Sequence, residues 1–369
     1  MSHRPLLSDL RSTFHRVVHD LKSWPVRGHR LVDELECVLS VLLAVAFAHA
    51  LDVRHVGWAA FSAYMVMRAH VWNSFKRGAL RVIGTAAGAA LAWYLSGVLP
   101  GTWWASSLAL LVVVFVTFYL MMVSPRGYAW LFMGLTFAMV IVDGLQHPAE
   151  PIEVFAWTRF VEVAAGTAAC VIVSALSTLT VRRHVLGQRG FSMEYEWWAK
   201  KLTLWHPVAF MHAVQGAVAM ALIPLVWWLF GLQALAQASI TIAVVMAIPL
   251  HTVGDNRTRV KLVHRFVGCV AGVLFATAAL LVAGPSPLAL TLFVVVAVMA
   301  GRHIENGRHG IDYIGTQFVL AVLVVLVPDS YAGAHMEVGF QRVTGVLLGI
   351  ALLEPVRLLL RLPAPRAEG

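Results

Sequence analysis

The feature that most constrains the fold is a set of arginine landmarks that recur inside apolar stretches. Arg81 opens the run R-V-I-G-T-A-A-G and Arg265 opens R-F-V-G-C-V-A-G, so both read Arg-x-x-Gly-x-x-x-Gly, at an offset of 265 − 81 = 184 residues. Arg159 and Arg342 each precede a glycine by seven residues, at an offset of 342 − 159 = 183. Two landmarks that recur at nearly one offset indicate two copies of one structural unit.

Composition places both copies in a membrane. The chain is 59% hydrophobic and 13% charged, about half the charged fraction of a soluble domain. Residues 102–123 form a run of 22 without a charge, and 266–301 form a run of 36 that Gly284-Pro285 breaks near its middle. Runs of this length cross a bilayer core of about 30 Å as α-helices. The sequence therefore predicts an all-α, polytopic membrane protein.

Twelve spans are predicted, six in each copy. Six is an even number, so both copies enter the membrane in the same direction, and a pseudo-twofold axis along the membrane normal is expected to relate them. The second span is short and polar at its edges, so it is expected to tilt or to be buried in protein. The predicted spans are 36–51, 55–69, 79–99, 102–123, 127–142, 154–180, 208–230, 233–250, 262–283, 286–301, 311–328 and 336–358.

Five segments follow from these spans. Residues 1–35 are predicted to be a cytoplasmic amphipathic segment, 36–180 the first six-helix repeat and 181–207 a cytoplasmic linker. Residues 208–360 are predicted to be the second six-helix repeat, and 361–369 a cytoplasmic tail.

The distribution of basic residues predicts the orientation. With twelve spans, nearly every Lys and Arg of the loops falls on one side, and the opposite loops hold Arg54. Because Lys and Arg accumulate in cytoplasmic loops, both termini are predicted to be cytoplasmic. The same rule accounts for the net charge of +9 without a nucleic-acid partner. The three cysteines, Cys37, Cys170 and Cys269, stand in apolar stretches, so no disulfide framework is expected.

Three features resemble a known family. They are the repeated Arg-x-x-Gly-x-x-x-Gly that opens a span, the Trp58-Ala59 pair in the second span, and the run Q-R-V-T-G-V-L-L-G that ends at Gly349. With the duplicated six-helix layout, they resemble the fusaric acid resistance / aromatic acid exporter superfamily, which is distantly related to the plant aluminium-activated malate transporters. The resemblance covers about 36–180 and 209–358, and it implies an exporter or channel for organic anions in the bacterial inner membrane.

The sequence departs from the family pattern in three places. A short linker stands where larger members carry a cytoplasmic domain. The second repeat has Ala236-Gln237 where the first has Trp58-Ala59. Glu162 occupies the place in the first repeat that Gly345 takes in the second. These differences bear on substrate and coupling more than on the fold.

The paired arginines Arg159 and Arg342 are the first candidates for an anion pathway. Each lies five or six residues inside its span, and a guanidinium is a planar, permanently charged fork that suits a carboxylate. Related by the pseudo-twofold, the two arginines would flank one pathway whose apolar walls accept an aromatic ring. The alternative is that each arginine snorkels outward or pairs with a neighbouring carboxylate.

Arg81 and Arg265 lie two or three residues inside their predicted spans, on the cytoplasmic side. Snorkelling and positive-inside topology explain them, and a role at the cytoplasmic mouth of the pathway is the alternative. The glycines that accompany the landmarks repeat on one helix face and predict close helix packing. They are Gly84, Gly88, Gly268, Gly272, Gly345 and Gly349.

Glu162 is the carboxylate predicted to lie deepest in the membrane, three residues after Arg159. At this spacing the two side chains can pair on one helix face. Compensation of Arg159 is the structural interpretation, and proton coupling is the functional one, because burial favours the protonated carboxyl. His303 and His309 are six residues apart, a spacing that does not align on a helix face, so neither a metal site nor a cofactor is predicted.

The leading hypothesis is a proton-coupled secondary exporter of organic anions, and of aromatic carboxylic acids in particular. The alternatives are a passive anion channel or uniporter and a non-transporting membrane scaffold subunit. No enzyme activity is expected. The expected partners are the lipid bilayer and a small organic anion, and a periplasmic adaptor protein and a homo-oligomer stay open.

Overall fold

The computed structural model describes residues 28–184, 205–232, 234–250, 253–284, 286–307, 310–327 and 336–360. Within these ranges the chain is all α-helical. The helices are α1 His29–Ala50, α2 Val56–Val66, α3 Val71–Val98, α4 Trp103–Val123, α5 Gly127–Gln146, α6 Ile152–Ser177, α7 Pro207–Phe230, α8 Leu235–Met246, α9 Asp255–Ala283, α10 Pro287–Glu305, α11 Asp312–Leu326 and α12 Met336–Leu359. A π-helical turn, Thr178–Arg182, continues α6.

Each predicted span overlaps one of these helices. Seven of the described helices are long and apolar enough to cross a membrane, which confirms a polytopic helical membrane protein. Crossing by all twelve stays a prediction, as does the pseudo-twofold axis. Most of the predicted N-terminal segment and of the linker, and all of the tail, lie outside the described residues.

Two of the helices are much shorter than a bilayer is thick. At 1.5 Å per residue, the 11 residues of α2 and the 12 residues of α8 extend about 17 Å and 18 Å. Nine residues of each helix are buried in protein. Burial allows a helix to end at membrane depth, because surrounding protein shields its backbone from lipid. The second span is therefore short because it is buried.

The helices form two compact units, and each unit draws helices from both sequence repeats. One unit contains α1, α2, α10 and α11 together with α6 from Ala165 and α9 from His264. The other contains α4, α5, α7 and α8 together with most of α3, α6 up to Ala164, and α12 from Gln341. We call them the first and second units. Each combines helices one, two and six of one repeat with helices three, four and five of the other.

The two units show the same pattern of helix pairs. In the first unit α1 packs on α2 and α10, and α11 packs on α2 and α10. In the second unit α7 packs on α8 and α4, and α5 packs on α8 and α4. Helix α1 is the first helix of the first repeat and α7 is the first helix of the second repeat. The helix pairs of the two units are therefore equivalent. The internal duplication that the arginine offsets predict is thus visible in the packing.

Candidate functional site

In the second unit, the landmark glycines of α3 lie against the backbone of α5. A Cβ atom on Gly84 would meet the carbonyl oxygen of Ala129, and one on Gly88 would meet the carbonyl oxygen of Met133. The helices approach so closely because hydrogen replaces a side chain at both positions.

In the first unit, the glycines of α9 lie against α11 in the same way. A Cβ atom on Gly268 would stand 2.7 Å from the carbonyl oxygen of Ile314, and one on Gly272 would stand 2.5 Å from that of Phe318. These two carbonyl groups follow their first-repeat counterparts by 185 residues. The Arg-x-x-Gly-x-x-x-Gly motif therefore encodes one helix contact that the chain forms twice.

The last two packing glycines lie on α12, against α8. A Cβ atom on Gly349 would stand 3.0 Å from the carbonyl oxygen of Ala238 and 2.6 Å from Cβ of Thr241. A Cβ atom on Gly345 would stand 2.7 Å from the carbonyl oxygen of Ala234 and would also meet Cβ of Gln237. No larger residue fits at either position without moving the two helices apart.

The equivalent contact in the first unit corrects one predicted correspondence. Gly166 on α6 faces the carbonyl oxygen of Ala59, as Gly349 faces that of Ala238. Ala59 therefore corresponds to Ala238, and Trp58 corresponds to Gln237. The expected match of Trp58-Ala59 with Ala236-Gln237 is wrong by one residue. The residue that precedes the contact alanine thus changes from an indole to an amide between the repeats.

Arg81 is buried among aromatic side chains. Its side chain is 2% exposed, and it lies ten residues, about 15 Å, after the start of α3 at Val71. Its guanidinium carbon stands 4.0 Å from the ring centre of Phe132, and Nη1 donates a hydrogen bond of 3.3 Å to the hydroxyl of Tyr128. Arg77 stacks on the same tyrosine ring at 4.0 Å. Aromatic faces attract the cations without neutralising them.

Arg265 occupies the equivalent position in the first unit but has an amide as partner. It is 1% exposed, and its Nη1 donates a 2.7 Å hydrogen bond to Oε1 of Gln317. Gln317 follows Phe132 by 185 residues, the offset of the carbonyl groups that contact the glycines. The position of the charge is thus repeated, whereas the group that orients it differs between the copies.

Arg159 forms a buried ion pair with Glu162. The arginine is 5% exposed and the glutamate is fully buried, and Nη2 lies 2.9 Å from Oε2 and 3.2 Å from Oε1. The ring of Phe155, one helical turn earlier, stands 5.0 Å from the guanidinium carbon. The i, i+3 spacing on α6 brings the two charges together, as the sequence predicts.

Arg342 contacts an amide side chain of α8. It is 1% exposed, and its Nη1 donates a long hydrogen bond of 3.5 Å to Oε1 of Gln237. Gly345 stands where the first repeat has Glu162, and its close contact with α8 leaves no space for a carboxylate. One member of the pair is therefore oriented by an acid and the other by an amide, and an amide leaves the positive charge intact.

The four candidate arginines do not all fall in one unit. Arg81, Arg159 and Arg342 belong to the second unit, and Arg265 belongs to the first. A cavity of about 400 Å³ in the second unit is lined by Glu150 and by residues from the ends of α3 to α6, and none of these arginines lines it. That cavity therefore does not coincide with the predicted anion pathway, which stays a prediction.

A cluster of buried charges in the first unit was not predicted. We call it the ionic cluster, and it ties the start of α1 to the end of α10 and to the π-helical turn after α6. The predicted boundaries put Asp33 and Glu34 in the N-terminal segment, Glu36 at the first residue of span one, and Arg182 and Arg302 in loops. The cluster consists of Asp33, Glu34, Glu36, Arg182, Arg302, His303 and Glu305.

Two bidentate arginine pairs form the centre of the ionic cluster. Arg302 donates from Nε and Nη2 to the two carboxylate oxygens of Asp33, at 2.7 and 3.1 Å. Arg182 donates from Nε and Nη2 to the two oxygens of Glu36, at 2.7 and 2.5 Å. Glu305 accepts from Arg302 at 3.2 Å. Two parallel bonds per pair fix both distance and orientation between helices.

Among the described residues, no matching cluster of charges is found at the equivalent helix pair of the second unit. There α7 meets α4 through Gly216 and Phe118, both buried, and a Cβ atom on Gly216 would stand 2.5 Å from the phenyl ring. The backbone N–H of His206, which precedes α7, also donates a 3.2 Å hydrogen bond to the hydroxyl of Tyr119 on α4. In the described part of the chain, the duplicated helix pair is thus held by ion pairs in one unit and by close packing and a neutral hydrogen bond in the other. A sequence signal for the difference existed, since Asp33, Glu34 and Glu36 crowd four positions before an apolar run.

The comparisons with known proteins agree with this architecture. The family model described as fusaric acid resistance protein-like matches residues 43–173 and 218–353, more than half of the chain. The chain therefore belongs to the fusaric acid resistance protein-like family, which confirms the resemblance that the motifs predict. One matched region falls in each predicted repeat. No curated protein and no solved structure matches the chain.

Proposed function

We propose that this protein exports organic anions, and aromatic carboxylic acids in particular, across the bacterial inner membrane by proton-coupled secondary transport, with both termini in the cytoplasm. Family membership and the apolar helices indicate a membrane protein of transport or efflux. Fusaric acid, to which the family name refers, is itself an aromatic carboxylic acid.

The observation that carries the proposal is the burial of four arginines in apolar helices at positions that the duplication repeats. A charged side chain at membrane depth is costly and points to an ion or substrate pathway. The groups that orient Arg81, Arg265 and Arg342 include neutral rings and amides. Such groups orient a guanidinium, and its planar fork is the side-chain group that best matches a carboxylate.

Replacing Arg342 with glutamine is the most direct test of the pathway. Because a hydrogen bond to a charged group contributes about 1.5–3 kcal/mol, we expect flux of a labelled hydroxybenzoate into proteoliposomes to fall about tenfold or more at fixed voltage. Arg126, exposed at the start of α5, gives a matched control as Arg126→Gln. Wild-type flux in a folded Arg342→Gln protein would remove this arginine from the pathway.

Arg159 needs a variant that also removes its partner. Arg159→Gln alone leaves Glu162 buried without its cation, a change that can unfold the protein for reasons unrelated to transport. Arg159→Gln/Glu162→Gln replaces both charges with hydrogen-bonding amides, and we expect it to fold and to lose flux. If wild-type protein carries no aromatic acid at all, the substrate class is different or the protein is a scaffold subunit.

A passive anion channel is the second candidate function. The membrane potential already favours anion exit by about 2.3 kcal/mol per charge per 100 mV, so coupling is not required by energetics. The tight pairing of Glu162 with Arg159 also favours a structural role for this carboxylate. Flux that responds to a pH gradient at clamped voltage supports the exporter, and flux that ignores it supports the channel.

Glu162→Gln separates coupling from structure at this position. If Glu162 carries the coupled proton, we expect the variant to keep flux and to lose its response to a pH gradient. If Glu162 only compensates Arg159, the response to pH stays and the protein unfolds at a lower temperature, because a buried cation loses its partner. Both readouts come from one preparation, with flux assayed in vesicles and unfolding followed in detergent.

A further inference from the structure

Glu34 and His303 form a pair within the ionic cluster whose charge depends on a proton. Nδ1 of His303 lies 2.9 Å from Oε1 of Glu34, and the two side chains are 1% and 0% exposed. The arginines of the cluster keep their charge at any physiological pH. An imidazole, in contrast, gains or loses its proton in the physiological range. Protonation of the cluster can therefore change most readily at this pair.

The pair lies in the most deeply buried part of the cluster. Around it, Asp33 and Glu36 bind the guanidinium groups of Arg302 and Arg182, and Nη2 of Arg30 donates a 3.2 Å hydrogen bond to the carbonyl oxygen of His303. Without a proton on the imidazole, the carboxylate of Glu34 faces a neutral ring in a site that water does not reach, which burial penalises. The rim of the cluster, where Arg68 pairs with Glu305 at 3.7 Å, is more exposed, so its charges are better screened.

Glu34 also has an oxygen atom that can accept the proton. Its second oxygen, Oε2, is buried and accepts no hydrogen bond from the described residues. A carboxyl group of this kind can bind a proton itself or pass one to His303. The charged and titratable groups that surround the pair from α1, α2, α10 and the turn after α6 are Arg30, Asp33, Glu36, Tyr64, Arg68, Arg182, Arg302 and Glu305.

The pair connects elements whose relative position a proton would change. Glu34 lies on α1 and His303 at the end of α10, two helices that pack on each other. The π-helical turn that presents Arg182 to Asp33 and Glu36 is a rare geometry, which occurs frequently at functional sites. The equivalent helices of the second unit meet through Gly216 and Phe118, so within the described residues the ionic contact belongs to one of the two copies.

We propose that the pair of Glu34 and His303 is a proton-binding site whose occupancy controls transport. Proton uptake adds one positive charge to the pair and strengthens the contact between α1 and α10, and release weakens it. This inference rests on the proposed function, and it places the coupled proton in the first unit, apart from the ion pair of Arg159 and Glu162 in the second.

Direct titration tests the site without transport. The ring nitrogens of ¹⁵N-histidine-labelled protein in lipid nanodiscs are followed by NMR between about pH 5 and 8, and His303→Gln assigns the signal. We expect the ring nitrogens of His303 to report proton binding at the pair, and Glu34→Gln to alter that response, because Nδ1 lies 2.9 Å from the carboxylate. A signal that stays in one protonation state, or that ignores Glu34→Gln, overturns the proposal.

Flux measurements test the control of transport. We expect His303→Gln, and the neutral pair Glu34→Gln/His303→Gln, to retain flux and to lose its dependence on pH. His212 is the matched control, because it is equally buried on α7 but hydrogen-bonds the carbonyl oxygen of Met246 at 2.8 Å instead of a carboxylate. His212→Gln should keep the wild-type pH profile.

The outcomes separate this inference from the proposed function. A wild-type pH profile in folded His303→Gln, with lower thermal stability alone, overturns the proton site and leaves organic-anion transport standing. Titration of His303 in a protein that moves no organic anion supports the proton site and rejects the proposed function. If the single variants lose both flux and folding, the double variant Glu34→Gln/His303→Gln decides the question. A wild-type pH profile in that variant would overturn the proton site.

Discussion

Replacing Arg302 with methionine should lower the free energy of unfolding by about 3–5 kcal/mol, the cost of breaking a buried ion pair by removing one partner. Arg302 holds both oxygens of Asp33 and also contacts Glu305, and all three side chains lie at the junction of α1 and α10. Without the guanidinium, Asp33 must stay buried as an anion, bind a proton, or leave the cluster for water.

The measurement is denaturant unfolding in mixed micelles, followed by tryptophan fluorescence. Arg126→Met removes an exposed arginine with the same change in shape, and its effect should stay within about 0.5 kcal/mol. Asp33→Leu/Arg302→Met removes both charges and should recover much of the loss, since apolar replacements of a whole buried pair are often neutral. A loss below about 1 kcal/mol in Arg302→Met would show that the cluster does not stabilise the fold.

The sequence predicts the helices well because a membrane helix is a long local signal. Each predicted span overlaps one helix, since apolar runs of this length have no other stable structure in lipid. The helix ends are less accurate. Helix α3 begins at Val71, eight residues before its predicted span, and α9 begins at Asp255, seven residues before. A span predicted from hydropathy ends at a charged residue, whereas the backbone hydrogen bonding of the helix continues past that residue.

This difference changed the interpretation of the landmark arginines. A boundary near residue 79 puts Arg81 two residues inside the membrane, where snorkelling explains it. The structure instead places Arg81 about three turns after the start of α3, buried against Phe132. The sequence could not predict the partner groups of Arg81 and Arg265. The aromatic ring at 132 and the amide at 317 can be matched as equivalent positions only from the helix contacts of the two folded units.

The ionic cluster was missed because its parts are distant in sequence. Asp33 and Arg302 are separated by 302 − 33 = 269 residues, and each stands at the end of an apolar run, where interfacial charge is the ordinary explanation. Local patterns predict contacts at i, i+3 or i, i+4, such as Arg159 with Glu162. They do not predict which ends of distant helices meet, which depends on the exchange of helices between the repeats.

Gly84→Ala should destabilise the protein. Overpacking a core costs about 1–3 kcal/mol, and we expect a value in the upper part of that range. The added Cβ meets the carbonyl oxygen of Ala129, which is backbone and cannot rotate away as a side chain does. Helices α3 and α5 must then separate along the face that Gly88 also forms. Gly84→Ala/Gly88→Ala should therefore prevent stable folding, which size-exclusion chromatography of the detergent-solubilised protein would detect.

Gly97 supplies the control on the same helix. A Cβ atom there meets nothing within 4 Å, so Gly97→Ala introduces no clash and gains up to about 1 kcal/mol from helix propensity. The same chemical change thus has opposite effects at two positions of α3. Equal stability of the two variants would contradict close packing as the role of the motif. Gly84 would then be assigned to the anion pathway, and the flux of a folded Gly84→Ala protein would fall instead.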